Sequence, residues 1–124
     1  MQYIIIIMIV VGLAVADFAT GYIKAYCTDT VTSQKMRIGG MHKLGEIIVM
    51  VTACGLDIGI IALGAYYDAA ELAGIAGDVT AFSVFGYIVL MEIVSIMENF
   101  ASIYPDAKWA ARIAKHLKSK EEQK

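Results

Sequence analysis

Three carboxylates stand where carboxylates are costly. Asp17, Asp57 and Glu92 each interrupt a long apolar run. An acid at the centre of a membrane-crossing helix costs on the order of 2.5–3.5 kcal/mol on an insertion scale. Each apolar neighbour offsets about 0.3–0.6 kcal/mol of that. A dozen neighbours outweigh one acid, so insertion is feasible, but the acids then need partners or water. Such groups can take up a proton, bind one another, relay protons or line a wet path. No other reactive constellation accompanies them. The chain holds no nucleophile elbow, no phosphate loop and no HExxH, and Gly39-Gly40 reads as a turn. Cys27, Cys54, His42 and His116 lack the spacing of a zinc site. The reading is a non-enzyme with no cofactor, no metal and no nucleic-acid partner.

Helical spacing gives the acids company. Asp17, Thr20, Gly21 and Lys24 recur at i, i+3, i+4 and i+7 and share one face. Glu92, Ser95 and Asn99 repeat that spacing, with Glu98 close by. Gly12 with Ala16, and Gly55 with Gly59, are small-xxx-small pairs of the kind that let helix backbones approach. Two roles fit these stripes. They hold the three helices of one copy together, or they meet other copies and line a pore.

The elements that must carry these residues are long apolar blocks. Of 124 residues, 59% are apolar, and the mean hydropathy is +0.67. The apolar residues collect at 3–26, 46–67 and 79–100, each long enough to cross a hydrocarbon core of about 30 Å. Tyr3, Tyr26, Tyr66 and Tyr67 stand near the block ends, as in an interfacial belt. Ala14-Val15-Ala16 resembles a signal-peptide cleavage site, but no Lys or Arg precedes the first block, so it is read as a span. Cys54 is read as a small core hydrophobe, and Cys27 lies at a membrane edge where palmitoylation is the alternative to a plain thiol. The expected architecture is an all-α membrane protein of three transmembrane helices in a single module, 1–124.

Charge gives the expected direction. Lys24 precedes the connection 27–45, which carries Lys35, Arg37 and Lys43. The tail 101–124 carries Lys108, Arg112, Lys115, Lys118, Lys120 and Lys124, which completes the ten basic residues. The connection 68–78 holds Asp68, Glu71 and Asp78 and no cation. Basic short loops stay in the cytoplasm, so 27–45 and the tail are expected inside, 68–78 outside, and the N-terminus out. In the tail, Pro105 is expected to open a short helix. Its face of Trp109, Ala110, Ile113, Ala114 and Leu117 opposes one of Lys108, Arg112, Lys115 and Lys118. Such a basic amphipathic helix suits an anionic membrane surface, and equally a solvated positive-inside anchor.

Measured from block midpoints at about 1.5 Å per residue, Asp17 and Glu92 fall about 4 Å to the cytoplasmic side of centre and Asp57 near the centre. The three acids are therefore expected in one layer without a cation, with Lys24 reaching back to the cytoplasmic surface.

The same residues carry a resemblance. The run Asp17-Phe18-Ala19-Thr20-Gly21-Tyr22-Ile23-Lys24-Ala25 resembles the first-span signature of three-span phage holins, a group that includes the toxin-secretion holins of clostridia. Ser33, Gly40 and Lys43 match the group's first connection, and Asp57 its mid-span acid. Tyr87 and the run Glu92-Ile93-Val94-Ser95-Ile96-Met97-Glu98-Asn99 resemble its third span. The resemblance covers roughly residues 15 to 105. Only Tyr104-Pro105 remains of a proline-rich stretch after the Asn, and Asp78 stands where a basic residue is usual. The resemblance implies a multi-pass protein of the bacterial cytoplasmic membrane that self-associates into homo-oligomers and opens holes. Through these a cell-wall hydrolase (an endolysin) or a large toxin leaves, and lytic and secretory roles stay open. The alternatives are a small ion or solute transporter subunit and a membrane anchor for a partner complex.

Overall fold

The computed structural model describes residues 2–121, and over these the chain is helical with short turns. Helix α1 spans Gln2–Cys27, α2 Ser33–Tyr66, α3 Ala70–Ile103 and α4 Lys108–Glu121. The first three are long and apolar enough to cross a membrane. At about 1.5 Å per residue α2 and α3 each extend about 51 Å, which exceeds the hydrocarbon thickness.

Two turns of one kind fold the chain back on itself. At the end of α1 the Thr28 N–H donates to Lys24 O (3.0 Å) and Thr30 N–H to Ala25 O (2.9 Å), with Asp29 at φ 52°. At the end of α2 the Tyr67 N–H donates to Leu63 O (3.0 Å) and Ala69 N–H to Gly64 O (2.8 Å), with Asp68 at φ 56°. Both are Schellman-type stops, in which one left-handed residue satisfies the last carbonyls of the helix. An Asp holds that position in each, because a short polar side chain tolerates the left-handed region better than most. Thr32 then starts α2, its hydroxyl accepting from the Lys35 N–H at 3.2 Å.

The connections are thus far shorter than the sequence blocks implied. Of 27–45, everything from Ser33 onward is helix, including Lys35, Arg37 and Lys43, and of 68–78 everything from Ala70 onward. Gly39-Gly40 is not a turn. It lies within α2, where the Phe18 ring covers it, and a Cβ on Gly39 would sit 3.9 Å from that ring. Pro105 does not open the tail helix either. It follows Tyr104, the C-cap of α3, and α4 begins at Lys108. A proline cannot continue the hydrogen-bond ladder and turns the preceding residue out of the helical region, so it stops α3.

The three long helices run up, down and up. Seven-residue recurrence sets their inner faces: Val10, Asp17 and Lys24 on α1, and Lys43, Met50, Asp57 and Gly64 on α2. Val10, Met50, Ala53, Cys54 and Ile88 form a buried apolar cluster between them. Outward, Ile4, Met8, Val15, Ile48, Ile58, Leu63, Val79 and Phe82 are exposed. An apolar girdle of this extent belongs against lipid. Close approach of α2 and α3 depends on two glycines. A Cβ at Gly64 would overlap the Ala73 methyl and lie 3.1 Å from the Ala69 carbonyl oxygen. A Cβ at Gly77 would overlap the Asp57 carboxylate and lie 3.3 Å from the Asp57 carbonyl oxygen.

Gly64→Val is expected to destabilise the helix pair by about 1–3 kcal/mol, as overpacking does. Gly59→Ala meets open space and is expected to stay neutral or gain up to about 1 kcal/mol of helix propensity. Asp68→Gly is expected to stabilise by about 0.5–1 kcal/mol, since glycine takes the left-handed position freely. Unfolding of each variant in detergent micelles, followed by circular dichroism, checks all three.

Candidate functional site

Helices α1, α2 and α3 bring charged residues to a common point. The Lys43 ammonium lies 2.8 Å from Asp17 Oδ2 and 2.8 Å from Glu92 Oε2. Glu46, one turn along α2, is 3.4 Å away. Glu92 is 1% exposed and Asp17 7%. The second oxygen of Asp17 is engaged as well, since Asn99 Nδ2 donates to Oδ1 at 3.0 Å and also reaches the Thr20 hydroxyl at 3.3 Å. Asn99 Oδ1 in turn accepts from Lys24 Nζ at 3.4 Å. The stripe of α1 therefore meets the stripe of α3, with Lys43 of α2 between them. Glu92 Oε1 is left without a hydrogen-bond partner among the described residues.

This corrects two expectations. The acidic layer does hold a cation, Lys43, which sequence spacing had assigned to a connecting loop. And Asp57 is not in that layer. On α2 it lies fourteen residues from Lys43, or about 21 Å along the axis. Asp57 faces Gly77 of α3 and shares a groove with Tyr3 and Asp78 at the acidic end of the bundle. It is 1% exposed, and its Oδ1 has no partner among the described residues. The error came from the start of α2. With helix beginning at Ser33 rather than near Glu46, the residue opposite Asp17 is Lys43, two heptads before Asp57. The seven-residue recurrence of Lys43, Met50, Asp57 and Gly64 was the available signal. Glu46 was equally overlooked.

The other singled-out residues divide by place. Gly21 lies against Asn99, its Cβ position 3.5 Å from Nδ2, and Ser95 is half-buried between Glu92 and Asn99. Lys24 turns toward Asn99 rather than away from the bundle. Glu98 belongs to a different contact, an ion pair with Lys118 of the tail. Gly12, Gly55 and Gly59 have open space about them and Ala16 is half-buried, so the glycine pairs join no helices within one copy. In α4 the buried residues are Ala110 and Ala114. They pack it back on the end of α3, where Trp109 stands 5.6 Å from Phe100. Lys108, Arg112 and Lys115 are exposed. Cys54 sits in the apolar cluster, as a small hydrophobe would.

A buried ionic layer, an apolar girdle and three spanning helices narrow the kind of protein, and one comparison decides the family. The sequence model of the bacteriophage holin family matches residues 2–119. The chain belongs to the bacteriophage holin family. No curated protein and no solved structure matches it. This holin is a multi-pass membrane protein, and its family is not an enzyme family.

Removing one partner of a buried ion pair leaves the other charge uncompensated, typically at about 3–5 kcal/mol. Lys43→Met is expected to cost about that much. The quadruple variant Lys43→Met/Asp17→Asn/Glu46→Gln/Glu92→Gln, which removes the three carboxylates around Lys43 along with it, is expected to recover most of it. Thermal unfolding of both in micelles is the measurement, and equal destabilisation of the two would show that the ions do not act as a unit.

Proposed function

We propose that this holin inserts into the bacterial cytoplasmic membrane with its N-terminus outside and its tail inside. There it associates laterally into homo-oligomers and opens holes that release a cell-wall hydrolase or a large toxin. The orientation rests on the gathering of the basic residues, among those described, toward one end of the bundle, beside Cys27, Ser33, Ile103 and α4.

The observation that carries the reading is the enclosed ionic layer of Asp17, Lys43 and Glu92. Within one copy Lys43 is paired with acids from two other helices and the layer is largely buried, so a single copy can sit in the membrane without a water path. If the helices part, the same groups lose their partners and become wall that favours water. Assembly of several opened copies gives each layer a wet face in place of its internal partners. The switch is thus a change in what the acids and Lys43 face.

The transporter reading needs a polar path along the bundle. Asp57 is the next intramembrane acid from the layer on α2, and Met50, Ala53 and Cys54 fill the interval with apolar packing. That arrangement favours a hole made by several copies over a relay within one. An anchor for a partner complex gives no reason for a buried charge layer.

Induced expression in bacteria, with a cytoplasmic muralytic enzyme co-expressed, separates the readings. A holin stops growth abruptly and the culture lyses as the enzyme escapes. A transporter alters ion gradients without lysis, and an anchor does neither. Lys43→Met is expected to bring lysis earlier at equal membrane abundance, because it weakens the closed packing. Optical density with immunoblotting of membranes reads both, and unchanged timing at equal abundance would remove the ionic layer from the switch.

A further inference from the structure

A groove of about 310 Å³ opens between α1 and α2 at the basic end of the bundle. Lys24, Lys35, Thr30, Phe18, Met36 and Gly39 line it, and Lys43 closes its inner side with Asp17 and Asn99. The charge of Lys43 is already engaged by Asp17 and Glu92. Lys24 and Lys35 are differently placed. Among the described residues Lys24 reaches only the Asn99 amide oxygen, at 3.4 Å, and Lys35 only the Thr30 carbonyl, at 3.5 Å. Among the described residues neither is paired with a carboxylate. Two cations thus border one groove with weak neutral partners. The first turn of α2, which supplies Lys35 and Met36, adds the positive pole of a helix. The opposing pole of α1 is blunted, because Thr28 and Thr30 N–H groups already occupy its last carbonyls.

Depth orders the lining. Lys24 lies three residues before the end of α1 and Lys35 two after the start of α2, within about 5 Å of the helix ends. Phe18 and Gly39 lie about 6–9 Å deeper. Phe18 is 38% exposed, and its ring rests on the bare backbone of Gly39 and Gly40. Reading inward from the membrane surface, the groove runs from cationic to apolar. A phospholipid has that order, from phosphate to glycerol and acyl chain, and basic pockets between helices near a membrane surface are suited to anionic headgroups. A free phosphate would gain nothing from the Phe18 wall.

We propose that this groove binds an anionic phospholipid, its phosphate held between Lys24 and Lys35 and the head of its acyl chain against Phe18 and Gly39. The lipid spans α1 and α2 outside the Asp17–Lys43 contact, so it clamps the two helices that the layer joins from within.

The full-length protein is reconstituted in nanodiscs of equal phosphatidylglycerol and phosphatidylcholine, released gently, and its retained lipid identified by native mass spectrometry. Wild type is expected to retain phosphatidylglycerol over phosphatidylcholine by about tenfold or more, as two lysines at a membrane surface would give. Lys24→Gln/Lys35→Gln is expected to bring the two lipids within about twofold. Lys108→Gln/Lys115→Gln, which removes exposed tail charge, is expected to keep the preference. Circular dichroism of each variant shows whether the helices are intact, and Gly39→Leu, which fills the groove and spares the lysines, is the second probe. No preference in wild type, an undiminished preference in the folded double-lysine variant, or its loss in the tail variant would each overturn the proposal. So would displacement of the lipid by millimolar inorganic phosphate, which would mark a simple anion site.

Discussion

An ammonium group held 2.8 Å from two carboxylates, each on a different helix, is the contact on which the rest of this bundle depends. In hydrocarbon no water can replace a missing partner, so the helices that carry Asp17, Lys43 and Glu92 are not free to choose their rotation or their register. Setting Lys43 opposite Asp17 places Met50 beside Val10 and brings Asp57 to the level of Tyr3. Setting Lys43 opposite Glu92 places Asp57 against Gly77 and Gly64 against Ala73, where only small residues fit. Apolar packing between helices in lipid is weak in specificity, because lipid tails are as apolar as leucine. The ion pairs supply the specificity, and the glycines permit the close approach that follows.

Much of this was legible from residue types. The three spans follow from apolar length, and helical spacing sets Asp17, Thr20, Gly21 and Lys24 on one face of α1, the face that Asn99 of α3 touches. The basic and acidic ends were visible as well. What misled was the treatment of Lys35, Arg37 and Lys43 as loop residues. Hydropathy marks where a helix is apolar, not where it begins, and a helix that projects past the hydrocarbon carries its charges on helical faces. Thr32 and the Asp29 stop mark the true start of α2, but a capping threonine has many look-alikes in a sequence. The difference between Ser33 and Glu46 at that boundary was enough to place Asp57 in the wrong layer.

The tail shows a related limit. Its amphipathic pattern was clear, yet a pattern of Ala, Trp and Ile does not say whether the apolar face meets lipid or protein. Small Ala110 and Ala114 seat α4 against α3, while the larger Trp109 and Ile113 keep exposed area. The Lys118–Glu98 ion pair joins the two helices as well. Glu98 thus serves the tail, although helical spacing had set it beside the membrane stripe.

The two Schellman-type turns divide the bundle unequally. At the acidic end α2 and α3 are joined through Tyr67, Asp68 and Ala69, with Gly64 and Ala73 in contact directly beneath. These two helices form a stapled pair. Helix α1 leads into that pair at the basic end, through residues 28–32, and at the acidic end Tyr3, Ile6 and Ile7 pack against the cluster of Met50, Ala53, Cys54 and Ile88. One end of α1 is thus held by charge, at Asp17 and Lys43, and the other by apolar packing beside Asp57, whose Oδ1 has no partner among the described residues.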